Sequence, residues 1–308
     1  MLAGIGYKIA STLAFACMMA IVKAYNQYPV GQLVFFRSFF ALFVLAIWLS
    51  WRHEFPHALR TKRFGGHLFR ALAGTGNMVL MFGAYSFLPL ADVTAVGYAG
   101  PLIIIVLASV WLGERVGPAR WLGVIIGFSG VILMLSEHLG GGLKNGVSGA
   151  AIGAMMALMG AFSLAVAMIQ TRRLVQTEHM GAVVFYFQFT ASWIGIGLML
   201  VGALWPSSWP GAASVQAMAW VWPEPAHWLP LICAGLLGGV GQILMTRGFT
   251  LADASVIACF DYTSMIWVLL LGILFLGEFP SSTVLMGASI VTAAGIMVIV
   301  SERKSRLR

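Results

Sequence analysis

Charge is what this sequence has least of. Asp, Glu, Lys and Arg make up 9% of the 308 residues, against roughly a quarter in a soluble domain. With 60% of the chain hydrophobic, water is excluded as its main solvent. Cysteine is almost absent: Cys17, Cys233 and Cys259 lie within apolar runs, and an odd count without paired spacing excludes a disulfide framework and a metal site. No glycine-rich loop ends in Lys-Ser or Lys-Thr, which excludes direct ATP coupling and implies no cofactor. No selectivity ring of the kind a channel needs is found. The excess of 18 Lys and Arg over 10 Asp and Glu does not point to nucleic acid, because the cations sit in short loops and never form a patch interleaved with aromatics.

Ten long apolar runs are present, near residues 4–24, 30–50, 66–88, 92–112, 119–137, 148–171, 181–205, 227–249, 253–276 and 283–300. Each approaches the roughly 20 residues that span a bilayer as a helix, so the expected class is an all-α membrane protein of ten transmembrane helices with the lipid bilayer as its partner. The first run follows Lys8, lacks a small-residue cleavage site and is closed by Lys23, which reads as an uncleaved first helix. Alternate loops then collect Arg52, Arg60, Lys62, Arg63, Arg115, Arg120, Arg172, Arg173 and Arg247, with Arg303, Lys304, Arg306 and Arg308 in the tail, while the opposite loops hold Lys144 alone. The positive-inside rule therefore puts both termini in the cytoplasm. Tryptophans at run ends, Trp48, Trp51, Trp111, Trp121, Trp205, Trp209, Trp220, Trp222 and Trp228, are expected as interfacial anchors. The weakly charged loop 206–226 is expected along the outer surface, with a lid as a second reading.

The chain also repeats itself. YAGPLIIIVLASVWLGE from Tyr98 aligns without gaps on YTSMIWVLLLGILFLGE from Tyr262, an offset of 164 residues. GTGN at Gly74–Asn77 matches GVGQ at Gly239–Gln242, and Ala-Asp at Asp92 matches Ala-Asp at Asp253. Two five-helix units follow, residues 1–140 and 147–302, with 303–308 as a basic cytoplasmic tail. Five is odd, so the second unit is inverted. Inverted repeats place a substrate site near the midplane and permit alternating access by rocking one bundle against the other.

The paired LPLAD, YAGP and LGE segments and their TLAD, FDYTSM and LGE counterparts resemble the two EamA domains of the drug/metabolite transporter superfamily, over nearly the whole chain. The resemblance implies an inner-membrane carrier with helices 1 to 4 and 6 to 9 around a central cavity and helices 5 and 10 peripheral. It spans YddG-like amino-acid exporters and carriers similar to riboflavin or S-adenosylmethionine importers. FFRSFF at Arg37 and FDYTSMIW at Asp261 are nearer the importer-like branch. The expected substrate is a small organic metabolite, amino acids or related compounds, with export favoured and vitamin- or nucleoside-type uptake as the alternative.

Candidate substrate residues are those that cost most inside a membrane. Asp261 lies roughly 12 Å and Arg37 roughly 10 Å into their helices at the α-helical rise. An intramembrane charge is a functional candidate by default. Asp261 either binds a substrate amine or carries a coupling proton, or pairs with Arg37 structurally; Arg37 either attracts a substrate carboxylate or snorkels. Its repeat counterpart is Gln188, as Gln170 is that of Lys23. Gly97 to Pro101 should interrupt a helix, because Pro101 deprives the Gly97 carbonyl of its donor, and the freed carbonyls either meet substrate or serve a packing bend. Asn77 and Gln242 offer equivalent amides, and Tyr98 and Tyr262 equivalent aromatic hydroxyls, each with interhelical packing as the plain alternative. Lys8 and Arg70, nearer helix ends, are expected to snorkel. Asp92 and Asp253 are expected to cap helices, and Glu114 and Glu278 to organise turns. Gly123, Gly127, Gly287 and Gly295 provide faces for packing or for a homodimer. An intramembrane enzyme is the remote rival: GFSG at Gly127 and GVSG at Gly146 superficially suit a serine nucleophile, but His53, His57, His67, His138, His179 and His227 all lie in loops or at run ends, leaving the serines without a base.

Overall fold

A computed structural model describes residues 2–111, 117–139, 149–209, 211–251 and 263–306. Its order is α1 (Leu2–Ala24), α2 (Val30–Trp51), a short 3-10 turn (His57–Leu59), α3 (Phe64–Ala84), α4 (Leu90–Gly97), α5 (Ala99–Trp111), α6 (Pro118–Leu139), α7 (Gly149–Leu174), α8 (Met180–Leu204), α9 (Ala212–Gln216), α10 (Pro225–Leu251), α11 (Thr263–Leu271) and α12 (Ser282–Arg306). Among the described residues there is no strand. That is the expected result where lipid offers the backbone no hydrogen bonds and each segment must satisfy its own.

Among the described residues six helical segments are long and apolar enough to cross a membrane: Ala3–Ala24, Val30–Trp51, Leu90–Trp111, Gly149–Thr171, Met180–Leu204 and Pro225–Gly248. Three shorter apolar helices accompany them, Trp121–Ser136, Thr263–Leu276 and Ser282–Met297. The 21-residue α3 stands apart because it carries His67 and Arg70. Proline marks several starts, with Pro29 before α2, Pro89 before α4, and Pro118 and Pro225 as the first residues of α6 and α10. Its missing N–H falls where a helix has no partner to lose.

Among the described residues, the starts of α1, α2, α3, α4, α6, α7, α8, α10 and α12 lie within two residues of the expected ones, the expected start at 253 lies outside them, and the expected interruption is present. Helix α4 stops at Gly97 and α5 begins at Ala99, with Tyr98 between them donating its N–H to the Thr94 and Ala95 carbonyls. Helix α11 widens into a π segment, Gly272–Leu276, and ends at Gly277, whose φ of 65° suits glycine. Helix α12 runs on through residues 303–306.

Helix α1 packs on α10 and α3 on α7; α2 packs on α10 and α3 on α8; α4 and α5 pack on α7 and α11 on α1; α2 meets α8, and α6 meets α12. Glycines permit the closest approaches. A Cβ on Gly195 would stand 2.7 Å from the Gly31 carbonyl oxygen, and one on Gly287 2.7 Å from that of Gly130. The Gly287 face is therefore used inside the fold. Outward-facing Ile47, Leu204 and Phe275 are exposed, as a lipid-facing surface requires.

Two expectations are corrected. Lys8 and Arg70 do not snorkel: they are 2% and 6% exposed. Trp220 is not an interfacial anchor. Its ring stacks on Phe36 at 5.9 Å, and the Gln32 side chain fixes the adjoining segment by donating to the Val221 carbonyl and accepting from its N–H. The loop before α10 is thereby tied to α2.

Candidate functional site

Arg37 comes from α2, Arg70 from α3, and Phe187 with Gln188 from α8. Arg37 Nη1 donates to Gln188 Oε1 at 2.7 Å. Both arginines lie over the Phe187 ring, with guanidinium carbons 5.5 Å (Arg37) and 4.0 Å (Arg70) from its centroid. The ring reaches them because Gly74, one turn after Arg70, has no side chain: a Cβ there would be 2.7 Å from Phe187 Cε2. Gly238 on α10 makes room for Arg37 in the same way, its would-be Cβ lying 3.3 Å from Arg37 Nε. Arg70 Nε donates to Thr171 Oγ1 at 3.0 Å.

Both cations are closed off from solvent, at 5% and 6% exposure, and among the described residues neither has a carboxylate partner. Arg37 Nε, Arg70 Nη1 and Gln188 Nε2 are buried without a hydrogen-bond acceptor. Cation–π attraction to one phenyl ring supplies about 2 kcal/mol when desolvated, less than the several kcal/mol that burying each ion costs. The arrangement is therefore electrostatically incomplete and suited to an anion.

The remaining candidates fall into separate groups. Tyr98 OH and Ser264 Oγ are 2.6 Å apart, joining the α4–α5 break to α11, and Thr12 meets Thr263 hydroxyl to hydroxyl at 3.0 Å. Pro101 lies in the first turn of α5. Asn77 sits on α3 against α7, with its Oδ1 buried and unbonded and Gly160 giving it space. Gln242 is buried on α10. Gln170 is at the far end of α7, where Nε2 reaches the Gly66 carbonyl at 3.5 Å; it does not join the arginine group. Asp261 and Tyr262 lie outside the described residues, as do Asp253, Glu114, Ser148 and Cys259. The spacing reading missed Arg70, Phe187 and Ser264. The available signal was that Arg70 and Gly74 share a helix face, a cation beside a gap.

At the end of the bundle where α1 stops, Lys23 Nζ donates to the Tyr85 and Leu88 carbonyls at 2.7 and 2.8 Å and pairs with Glu278 Oε1 at 3.3 Å. Glu278 Oε2 accepts the Leu90 N–H at 2.7 Å, at the start of α4. Glu278 thus does more than organise its own turn, because it ties α1, α4 and the end of α11 together. At the opposite end, Glu178 lies 3.5 Å from His67 Nε2 and accepts the Lys62 N–H at 3.1 Å. Burial pushes the Glu178 carboxyl up, but the Lys62 amide, the Thr61 hydroxyl and His67 outweigh it and hold the group below its ordinary value. Among the described residues no cluster of His, Cys, Asp and Glu could hold a metal ion.

Comparison with known proteins agrees with this architecture. The model of the EamA-like transporter family matches residues 2–136 and again 151–301. A pseudopaline exporter, CntI, of Pseudomonas aeruginosa is 26% identical over 95% of this chain and 94% of its own. An S-adenosylmethionine uptake transporter of Rickettsia prowazekii is 24% identical over 89% of this chain and 84% of its own. A riboflavin transporter of Rhizobium johnstonii is 26% identical over 80% and 74%. A crystal structure of 18% identity superposes with a TM-score of 0.64, covering 96% of this chain and 98% of the other, a likeness of fold.

Proposed function

The chain belongs to the EamA-like transporter family, a multi-pass membrane transporter of the drug/metabolite superfamily rather than an enzyme, and we infer that it is a secondary carrier moving amino acids or related metabolites by alternating access. The observation that carries this reading is the helix pairing. Let α1, α2, α3, α4–α5 and α6 exchange with α7, α8, α10, α11 and α12. The α1–α10 pair becomes α7–α3, α2–α10 becomes α8–α3, and α5–α7 becomes α11–α1; α2–α8 and α6–α12 return to themselves. That symmetry supports two inverted five-helix halves, 1–140 and 147–302, within ten spans. Rocking between such halves exposes a midplane site to each side in turn.

With basic loops inside, both termini are cytoplasmic in an inner membrane. The Lys23–Glu278 cluster then closes the outer end. Export is favoured by the exporter match over nearly the whole chain; uptake is the second reading, supported by the relatives named for uptake. Asp261 is the residue assigned to proton coupling, and a homodimer, if formed, uses faces other than Gly287. Purified protein in proteoliposomes, assayed for amino-acid flux with and without a pH gradient, tests this. Flux above empty vesicles that responds to the gradient, and loses that response in Asp261→Asn, is expected. Flux no faster than in empty vesicles contradicts it.

A further inference from the structure

We propose that the substrate is an organic anion whose carboxylate docks between Arg37 and Arg70 against Phe187. The proposal rests on the carrier reading and adds the substrate's charge class. Two observations converge on it. Two guanidiniums from different helices share one aromatic ring at 5.5 and 4.0 Å, where mutual repulsion disfavours their meeting without an anion between them. Each retains a buried N–H without an acceptor, on Arg37 Nε and Arg70 Nη1, and the planar guanidinium fork is the group best matched to a carboxylate. Gly74 and Gly238 let these groups pack so closely, since a Cβ on the first would press on the Phe187 ring and one on the second on Arg37.

Position agrees as well. Arg70 is six residues into α3 from its basic end, roughly 9 Å, and Arg37 seven residues into α2 from the other end, roughly 10 Å, so the pair brackets the middle of a core about 30 Å thick. Gln188 serves as a neutral placeholder: it satisfies Arg37 Nη1 while no ligand is bound and leaves the second charge open. Because a carboxylate repairs both cations together, binding draws α2, α3 and α8 toward one another. A neutral or cationic solute lacks that effect.

The test uses the full chain in proteoliposomes and in detergent, with three acids, methionine, glutamate and succinate, each against its fully amidated analogue. Wild-type protein should move and be thermally stabilised by at least one acid roughly ten-fold more effectively than by the amide. Arg37→Gln and Arg70→Gln should abolish that preference, while their unfolding temperatures without ligand rise, because an unpaired buried charge has been removed. Arg70→Lys should keep part of the preference. Amides that cross as fast as acids overturn the carboxylate assignment and leave the carrier reading intact. Failure of every acid and amide to cross overturns both. Stabilisation by chloride or phosphate equal to that by the acids assigns the pair to an inorganic anion and overturns the proposal. Lower unfolding temperatures in both glutamine variants make the arginines structural and overturn it too.

Discussion

Arg37 donates to the Gln188 side chain at 2.7 Å, joining α2 to α8. The bond sets a buried cation against a neutral amide. Replacing the amide with a fixed carboxylate, Gln188→Glu, should raise the unfolding temperature by neutralising Arg37 and slow transport about ten-fold by occupying the anion's place. Gln188→Leu should lower stability by about 1.5–3 kcal/mol, since a charged donor is left unmet. Unfolding curves and flux measured on the same preparations check both; a Glu variant that transports like wild type contradicts the assignment.

The Lys23–Glu278 pair makes a directional prediction. Glu278→Gln keeps an acceptor for the Leu90 N–H but removes the ion pair with Lys23, which is worth about 1 kcal/mol as a partly covered pair. That energy shifts the balance of open and closed states about five-fold. The KM for substrate presented outside should fall and that for substrate presented inside should rise. Two-sided kinetics in oriented vesicles measure the ratio, and an unchanged ratio removes the cluster from gating.

Acid sensitivity should arise at the other end. The Glu178 carboxyl is held below its ordinary value of 4.5 in the folded protein, so its contribution to stability is complete above that pH. It is lost as pH falls through the lower folded value. Thermal unfolding of wild type between pH 3 and 7 should fall away at the acid end, and Glu178→Gln should give a flatter profile. Parallel profiles would exclude Glu178 as a source of the acid loss.

Packing between α6 and α12 gives a stability prediction. A Cβ on Gly287 would meet Met134 Cγ and the Gly130 carbonyl. The methionine can move and the carbonyl cannot. Gly287→Ala should cost about 1–3 kcal/mol, read as a lower unfolding temperature with the substrate preference unchanged. Gly6→Ala, at a position with open space around it, is the control and should be neutral or slightly stabilising.

The fold was legible because lipid leaves the backbone few options. Run lengths give the helices, and Gly97 to Pro101 the break at Tyr98. The Arg37–Gln188 contact was not legible, because nothing in spacing said which residue of α8 would face Arg37 on α2. Arg70 was misread because distance from a helix end suggests a snorkelling side chain, whereas burial depends on what the neighbouring helices place there, here Phe187 and Thr171. Trp220 was misread for the same reason, since an aromatic near a helix end looks like an anchor until Phe36 is found beneath it. Glu278 as a tie between three segments depended on Lys23 and Leu90, distant in sequence, and no local pattern carries that.

Trans-stimulated counterflow in sealed proteoliposomes tests alternating access most directly. Vesicles loaded with millimolar unlabelled substrate acid, diluted into trace labelled acid, should accumulate label transiently above equilibrium, and Arg37→Gln should abolish the overshoot. Label that enters without an overshoot, at a rate independent of the internal acid or equal to that of empty vesicles, would contradict a carrier mechanism.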